Sequence, residues 1–149
     1  MTMAAQPNAE RVTRTNDPDR APEVEVFYDG ACPLCAREIA MLRRLDRGRG
    51  RIRFTDIATV GFDPASVGAS WAALMREIHG RLPDGRLIVG VEVFRRLYAA
   101  VGFRALVAVS RWPVIAPALS VAYTLFARNR LRLTGRCDGQ ACAVHARSP

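Results

Sequence analysis

Two cysteines, Cys32 and Cys35, stand two residues apart in the stretch "YDGACPLCARE", and Asp29 precedes the first by three. A thiol pair at this spacing supports two chemistries. One thiolate can attack a disulfide while its neighbour resolves the mixed disulfide, or both can form half of a tetrahedral zinc site. Cys137 and Cys142, in "RCDGQACAVH" with His145 just beyond, would supply the other half. That second spacing has four intervening residues rather than two, and zinc knuckles usually occupy turns rather than the start of an amphipathic helix. Redox exchange is therefore the leading reading, with a metal site on Cys32, Cys35, Cys137 and Cys142 as the alternative.

The two thiols are not equivalent. A cysteine at the start of a helix faces unpaired backbone N–H groups and the positive end of the dipole, which favour the thiolate. Cys32 is expected there, as the nucleophile. Cys35 lies one turn on, within reach of Cys32 and toward the inward face, where burial raises a thiol pKa. It is expected to resolve. Asp29 reads first as a turn residue, and second as a buried carboxylate that relays a proton to or from Cys35. Glu38 reads as a solvated helix residue and His79 as a satisfied strand residue. Cys137 and Cys142 form either a second redox pair, a surface crosslink or plain thiols.

The elements that would position the pair follow from patterning. Residues 24–28, "VEVFY", mix β-branched and aromatic types and predict a strand ended by Asp29-Gly30. Ala36, Ile39, Leu42 and Leu45 recur at helical spacing over 33–47, with Pro33 suited to the first helical position. Residues 51–57, "RIRFTDI", alternate as a second strand. Strand, helix and strand so closely spaced predict a βαβ unit with a parallel pair. A helix over about 65–74 comes next, then strands near 77–82 and 86–89 around the turn residues Pro83-Asp84-Gly85. A helix over 91–101 completes the order β-α-β-α-β-β-α. That is the order of a thioredoxin-like α/β domain with one four-stranded mixed sheet, and the cysteine pair falls at its first β-to-α junction.

Residues 103–127 are mostly apolar and predict two short helices covering the sheet. The uncharged run Trp112–Ala127 has 16 residues and contains two prolines, too short and too broken for a spanning helix. A membrane-surface helix is the sharper alternative. The polar residues 1–22 read as a disordered tail without a secretory signal, and 136–149 as a Cys-containing tail around the domain at 23–135. The cytoplasm is the expected location, where a close cysteine pair is more often catalytic or metal-binding than a permanent crosslink.

The chain has 149 residues, enough for one domain with its own core, and a net charge of +8. All 22 basic residues are arginine. Selection for phosphate contact seldom excludes lysine, and no aromatic residues interleave with the basic ones. Nucleic acid is not expected as a partner.

The string "VFYDGACPLCAREIAMLRRLD" resembles the opening motif of the DCC family of thiol–disulfide oxidoreductase-like proteins, named for Asp-x-x-Cys-x-x-Cys. Asp29, Cys32 and Cys35 match it, with Tyr28, Gly30 and Pro33 alongside. The similarity continues through "RFTDI", "HGRLPDGRLIVGVEVFRRLYAAVG" and "YTLFARNRLRLTG". It implies a thioredoxin fold and thiol–disulfide exchange with a disulfide-bearing protein or small molecule and an electron donor. No cofactor beyond the dithiol is implied. Enzymes of the wider superfamily place a cis-proline before the third core strand. Here Pro64 is too early and Pro83 falls in the hairpin turn, which keeps a zinc or iron–sulfur module on the same fold as the alternative.

Overall fold

A computed structural model describes residues 21–135, together with the backbone of Cys137–Asp138 and Ala141–Cys142. The tails read over 1–22 and 136–149 otherwise lie outside the described residues.

Strand β1 (Val24–Tyr28) leads into helix α1 (Pro33–Asp46), and β2 (Ile52–Asp56) returns parallel to β1, with Tyr28 opposite Asp56. On the other side of β1, β3 (His79–Arg81) runs antiparallel and is paired in turn with β4 (Leu87–Val89). The sheet order is β2-β1-β3-β4. This is the mixed four-stranded sheet that the patterning predicts, and the fold is α/β and thioredoxin-like.

Alternation along β1 divides the core. Val24 and Val26 pack with Ile39 and Leu42 of α1 and with Val93 and Leu97 of α3 (Val91–Ala100). Phe27 points the other way, onto Ile57, Val67, Leu74 and Met75. Each such aliphatic side chain contributes about 1.5–3 kcal/mol by leaving water. Both faces of β1 are thereby covered, and its C-terminal end is the fixed point from which the cysteine turn departs.

Two expected elements differ. The single helix over 65–74 is instead a 3₁₀ turn, Pro64–Val67, followed by α2 (Trp71–Arg76). Gly68 breaks the run with φ +80, and Ser70 starts a new helix by accepting the Ala73 N–H on its hydroxyl at 3.2 Å. At the C-terminal side, α4 (Arg104–Ser110) is short but α5 (Ile115–Leu133) has 19 residues. Pro117 does not interrupt α5 because it lies in the first turn, where an N–H has no intrahelical partner.

Helix α5 touches the domain along a narrow stripe of Tyr123, Ala127 and Arg130, while Trp112, Val114, Val121 and Leu125 of the α4–α5 region are exposed. It packs against α3 and α4, and its Tyr123 reaches Ile78 and Gly90 beside β3 and β4. Among the described residues no single helix is long and apolar enough to cross a membrane. Helix α4 and residues 115–130, bent by 92°, reach that length and composition only together. Of the arginine run over 43–53, Arg43 stacks on the Phe54 ring at 4.4 Å and Arg51 donates to the Ala100 carbonyl at 2.9 Å. Beyond α5, the two-residue strands β5 (Cys137–Asp138) and β6 (Ala141–Cys142) pair with Cys137 opposite Cys142.

Candidate functional site

The turn between β1 and α1 is built by two aspartates. Asp29 is 2% exposed, its carboxylate accepts the Ala31 N–H at 3.1 Å, and its carbonyl accepts the Cys32 N–H at 3.1 Å. That is the turn role expected of it. Asp56, at the end of the neighbouring strand, accepts the N–H groups of Gly30 and Ala58, each at 2.8 Å. A Cβ on Gly30 would overlap the Asp56 carboxylate, so glycine there lets that carboxylate lie against the turn.

Cys32 then takes the N-cap position of α1 in extended conformation, and Pro33 opens the first turn. Its carbonyl accepts the Ala36 N–H at 2.9 Å. Cys35 sits one turn on, close enough to Cys32 for that sulfur to bear on its protonation. The spacing thus brings the two sulfurs together at the helix start, both as free thiols. Burial differs from expectation, however. Cys32 is 0% exposed, tucked under the Asp29 turn, whereas Cys35 is only partly covered. The inward sulfur is the first, and the accessible one is the second.

Cys35 faces a cavity of about 760 Å³ between α1, α3 and α5. Beside it stands Arg130, 5% exposed, whose Nη1 donates to the Cys35 sulfur at 3.1 Å and whose Nη2 donates to the Met75 carbonyl at 2.7 Å. Burial pushes the Cys35 thiol up to about 12. The Arg130 guanidinium opposes that rise, while the adjacent Cys32 sulfur adds to it as a charge and as a hydrogen-bond partner.

Tyr123 fixes the same side two turns earlier on α5. Its hydroxyl accepts the Ile78 N–H at 2.9 Å, just before β3, and its ring meets Phe94 edge-on at 6.0 Å. The Ile78 carbonyl accepts the Gly90 N–H at 3.0 Å, and Gly90, at φ +64, leaves room for the Tyr123 ring. Burial raises the Tyr123 pKa, against the Ile78 N–H and Arg130. The position before β3 is therefore held by Ile78 and strapped by α5, and no peptide bond among the described residues is cis.

The other candidates separate. Glu38 accepts the Tyr98 hydroxyl at 2.8 Å, so it is committed to a contact rather than only solvated. His79 is a buried strand residue whose Nδ1 lies 3.0 Å from the Glu77 carbonyl. Among the described residues no three of His, Cys, Asp and Glu gather as a metal set. The side chains of Cys137 and Cys142 lie outside the described residues, as does His145. Arg130, Tyr123 and Asp56 were not legible as site residues. Their sequence signals were the family-like strings "RFTDI", which holds Asp56, and "YTLFARNRLRLTG", which holds Tyr123 and Arg130, and for Asp56 also its place at the end of the strand predicted to pair beside the Asp29-Gly30 turn.

A thioredoxin-like sheet with two free thiols one turn apart at its first strand-to-helix junction defines a class of dithiol proteins. The chain belongs to the DCC1-like thiol-disulfide oxidoreductase family, whose model matches residues 26–136. It is 36% identical over 115 residues to an uncharacterized chloroplastic protein of Arabidopsis thaliana, covering 76% of this chain. The match spans about half of that relative, 54% of its length. No solved structure matches.

Proposed function

We propose that this chain exchanges thiols and disulfides through Cys32 and Cys35, which cycle between dithiol and disulfide without a further cofactor. One observation carries the reading: two free thiols one turn apart at a helix start, one of them open to a cavity and held by a guanidinium.

Access supports the reverse of the sequence-based roles. The mixed disulfide forms on Cys35, the sulfur a second molecule reaches, and Cys32 closes the cycle. Protonation favours a direction. With its pKa pushed up to about 12, Cys35 keeps its proton at neutral pH and is a slow nucleophile there. In the oxidised chain this does not matter. An incoming thiolate attacks the Cys35 sulfur, and Cys32 leaves as a thiolate beside the unpaired N–H groups and positive dipole of the first turn of α1. Asp29 positions that turn and is the candidate proton relay. Single substitutions test the roles. Cys32→Ser is expected to accumulate a mixed disulfide on Cys35 when treated with an activated aromatic disulfide, whereas Cys35→Ser accumulates none. Trapping on Cys32 instead restores the original assignment.

A second reading concerns attachment. Trp112 is 67% and Val114 82% exposed at the elbow between α4 and α5, next to Arg111, which is paired with Glu92 at 3.1 Å, and with the exposed Arg104 at the far end of α4. Apolar side chains flanked by cations suit the interface of an anionic bilayer. Cosedimentation with phosphatidylglycerol vesicles that is lost in Trp112→Ser/Val114→Ser supports it, and equal recovery with and without vesicles rejects it.

A further inference from the structure

We infer that the cavity beside Cys35 binds a small, largely aliphatic thiol or disulfide that carries an anionic group, in preference to an extended polypeptide. This rests on the dithiol reading above and narrows its substrate class. The volume of about 760 Å³ falls within the usual range for small-molecule sites. Ile39, Leu42, Phe94, Leu97 and Phe126 give it apolar walls, and Cys35 and Arg130 lie in its lining. Glu38 and Tyr123, which also line it, already hold partners in Tyr98 and Ile78. The cations remaining at its rim are Arg37 and Arg44, which make no hydrogen bond or ion pair with another of the described residues. An aliphatic chain ending in a carboxylate matches this surface.

A polypeptide fits poorly. Ile78, the residue before β3 that lines the cavity, offers an incoming strand no free main-chain group: its N–H is taken by Tyr123 and its carbonyl by Gly90.

The reaction balances within one turnover. A thiolate of the bound dithiol attacks the Cys35 sulfur and breaks the Cys32–Cys35 bond, and Cys32 takes up a proton. The second thiol of the same molecule, as thiolate, attacks the first and releases Cys35, which also ends protonated. The small molecule loses two hydrogens and becomes a cyclic disulfide, and the protein disulfide becomes a dithiol.

The test uses the oxidised full chain and measures single-turnover reduction by dihydrolipoate, its uncharged amide, glutathione and dithiothreitol. Dihydrolipoate is expected to give a saturating rate and to exceed the amide by roughly two- to five-fold for each rim arginine engaged. Arg37→Gln/Arg44→Gln is expected to erase that advantage. Non-saturating rates, or no preference over glutathione at equal thiolate, while dithiothreitol still reduces the pair, overturn this inference and leave the exchange chemistry standing. An advantage that survives in the double variant overturns the anion site. A Cys32–Cys35 pair that no thiol reduces overturns both readings.

Discussion

Arg130→Met isolates what the guanidinium does for Cys35. Methionine keeps much of the side-chain length and so keeps the site closed, but it removes the donor 3.1 Å from the sulfur. A hydrogen bond to a charged group is worth about 1.5–3 kcal/mol. At about 1.36 kcal/mol per pH unit, its loss moves the Cys35 titration about one to two pH units higher. The thiolate fraction at pH 8 then falls about 10- to 100-fold. The more basic thiolate is intrinsically more nucleophilic, with a Brønsted slope of about 0.4–0.5, which recovers about half of that on a logarithmic scale. The net expectation is alkylation of Cys35 by iodoacetamide slowed about three- to ten-fold, followed by peptide mapping so that other thiols do not contribute. The Met75 carbonyl also loses its partner, at about 1–3 kcal/mol of stability, so circular dichroism at the assay temperature establishes that the variant is folded. Arg130→Lys keeps the charge and should recover part of the rate. A folded Arg130→Met whose Cys35 reacts as fast as wild type, or faster, refutes the reasoning.

Other substitutions probe the frame. Gly30→Ala drives a methyl into the Asp56 carboxylate and disturbs its bonds to Gly30 and Ala58; a loss of about 1–3 kcal/mol is expected, read as a lower urea midpoint. Tyr123→Phe strands the Ile78 N–H, with about 1–2 kcal/mol lost and α5 loosened, visible as faster amide exchange at Ile78. At Glu25, burial raises the pKa but is outweighed by Thr55, Arg81 and Arg53, so the net value is lowered. A depressed carboxylate contributes stability above its unfolded pKa and loses it as pH falls through the folded value, so Glu25→Gln should flatten the acid limb of stability below about pH 4.5. Cys35 has the opposite sign. Its raised pKa means the folded chain holds a proton the unfolded chain has lost, so stability should fall from about pH 9 toward 12 in wild type and less so in Cys35→Ser.

Much of the site's frame was readable because it is local. The alternation in Val24–Tyr28, the helical spacing of Ile39 and Leu42 and the Asp29-Gly30 break all act within a few residues, and together they place the cysteines at the first junction. The relative burial of the two thiols was not readable. It depends on how the Asp29 turn folds over the cap, and helical periodicity says nothing of a residue that precedes the helix. Arg130 is 95 residues from Cys35 in sequence, and a cation near the end of an apolar helix reads as solvated until tertiary packing buries it. Tyr123 looked like one more apolar position for the same reason. The helix expected over 65–74 failed at Gly68, whose positive φ outweighed the apolar spacing on either side.

The central claim is that Cys32 and Cys35 are bonded to each other in one state and free in the other. Purified chain is alkylated under denaturing conditions with and without prior reduction, and the peptide holding both residues is weighed. The account predicts an unalkylated, internally bonded peptide after treatment with oxidant and a doubly alkylated one after reduction, interconverting through repeated cycles. A peptide doubly alkylated under every condition, or one bonded only to Cys137 or Cys142, contradicts it.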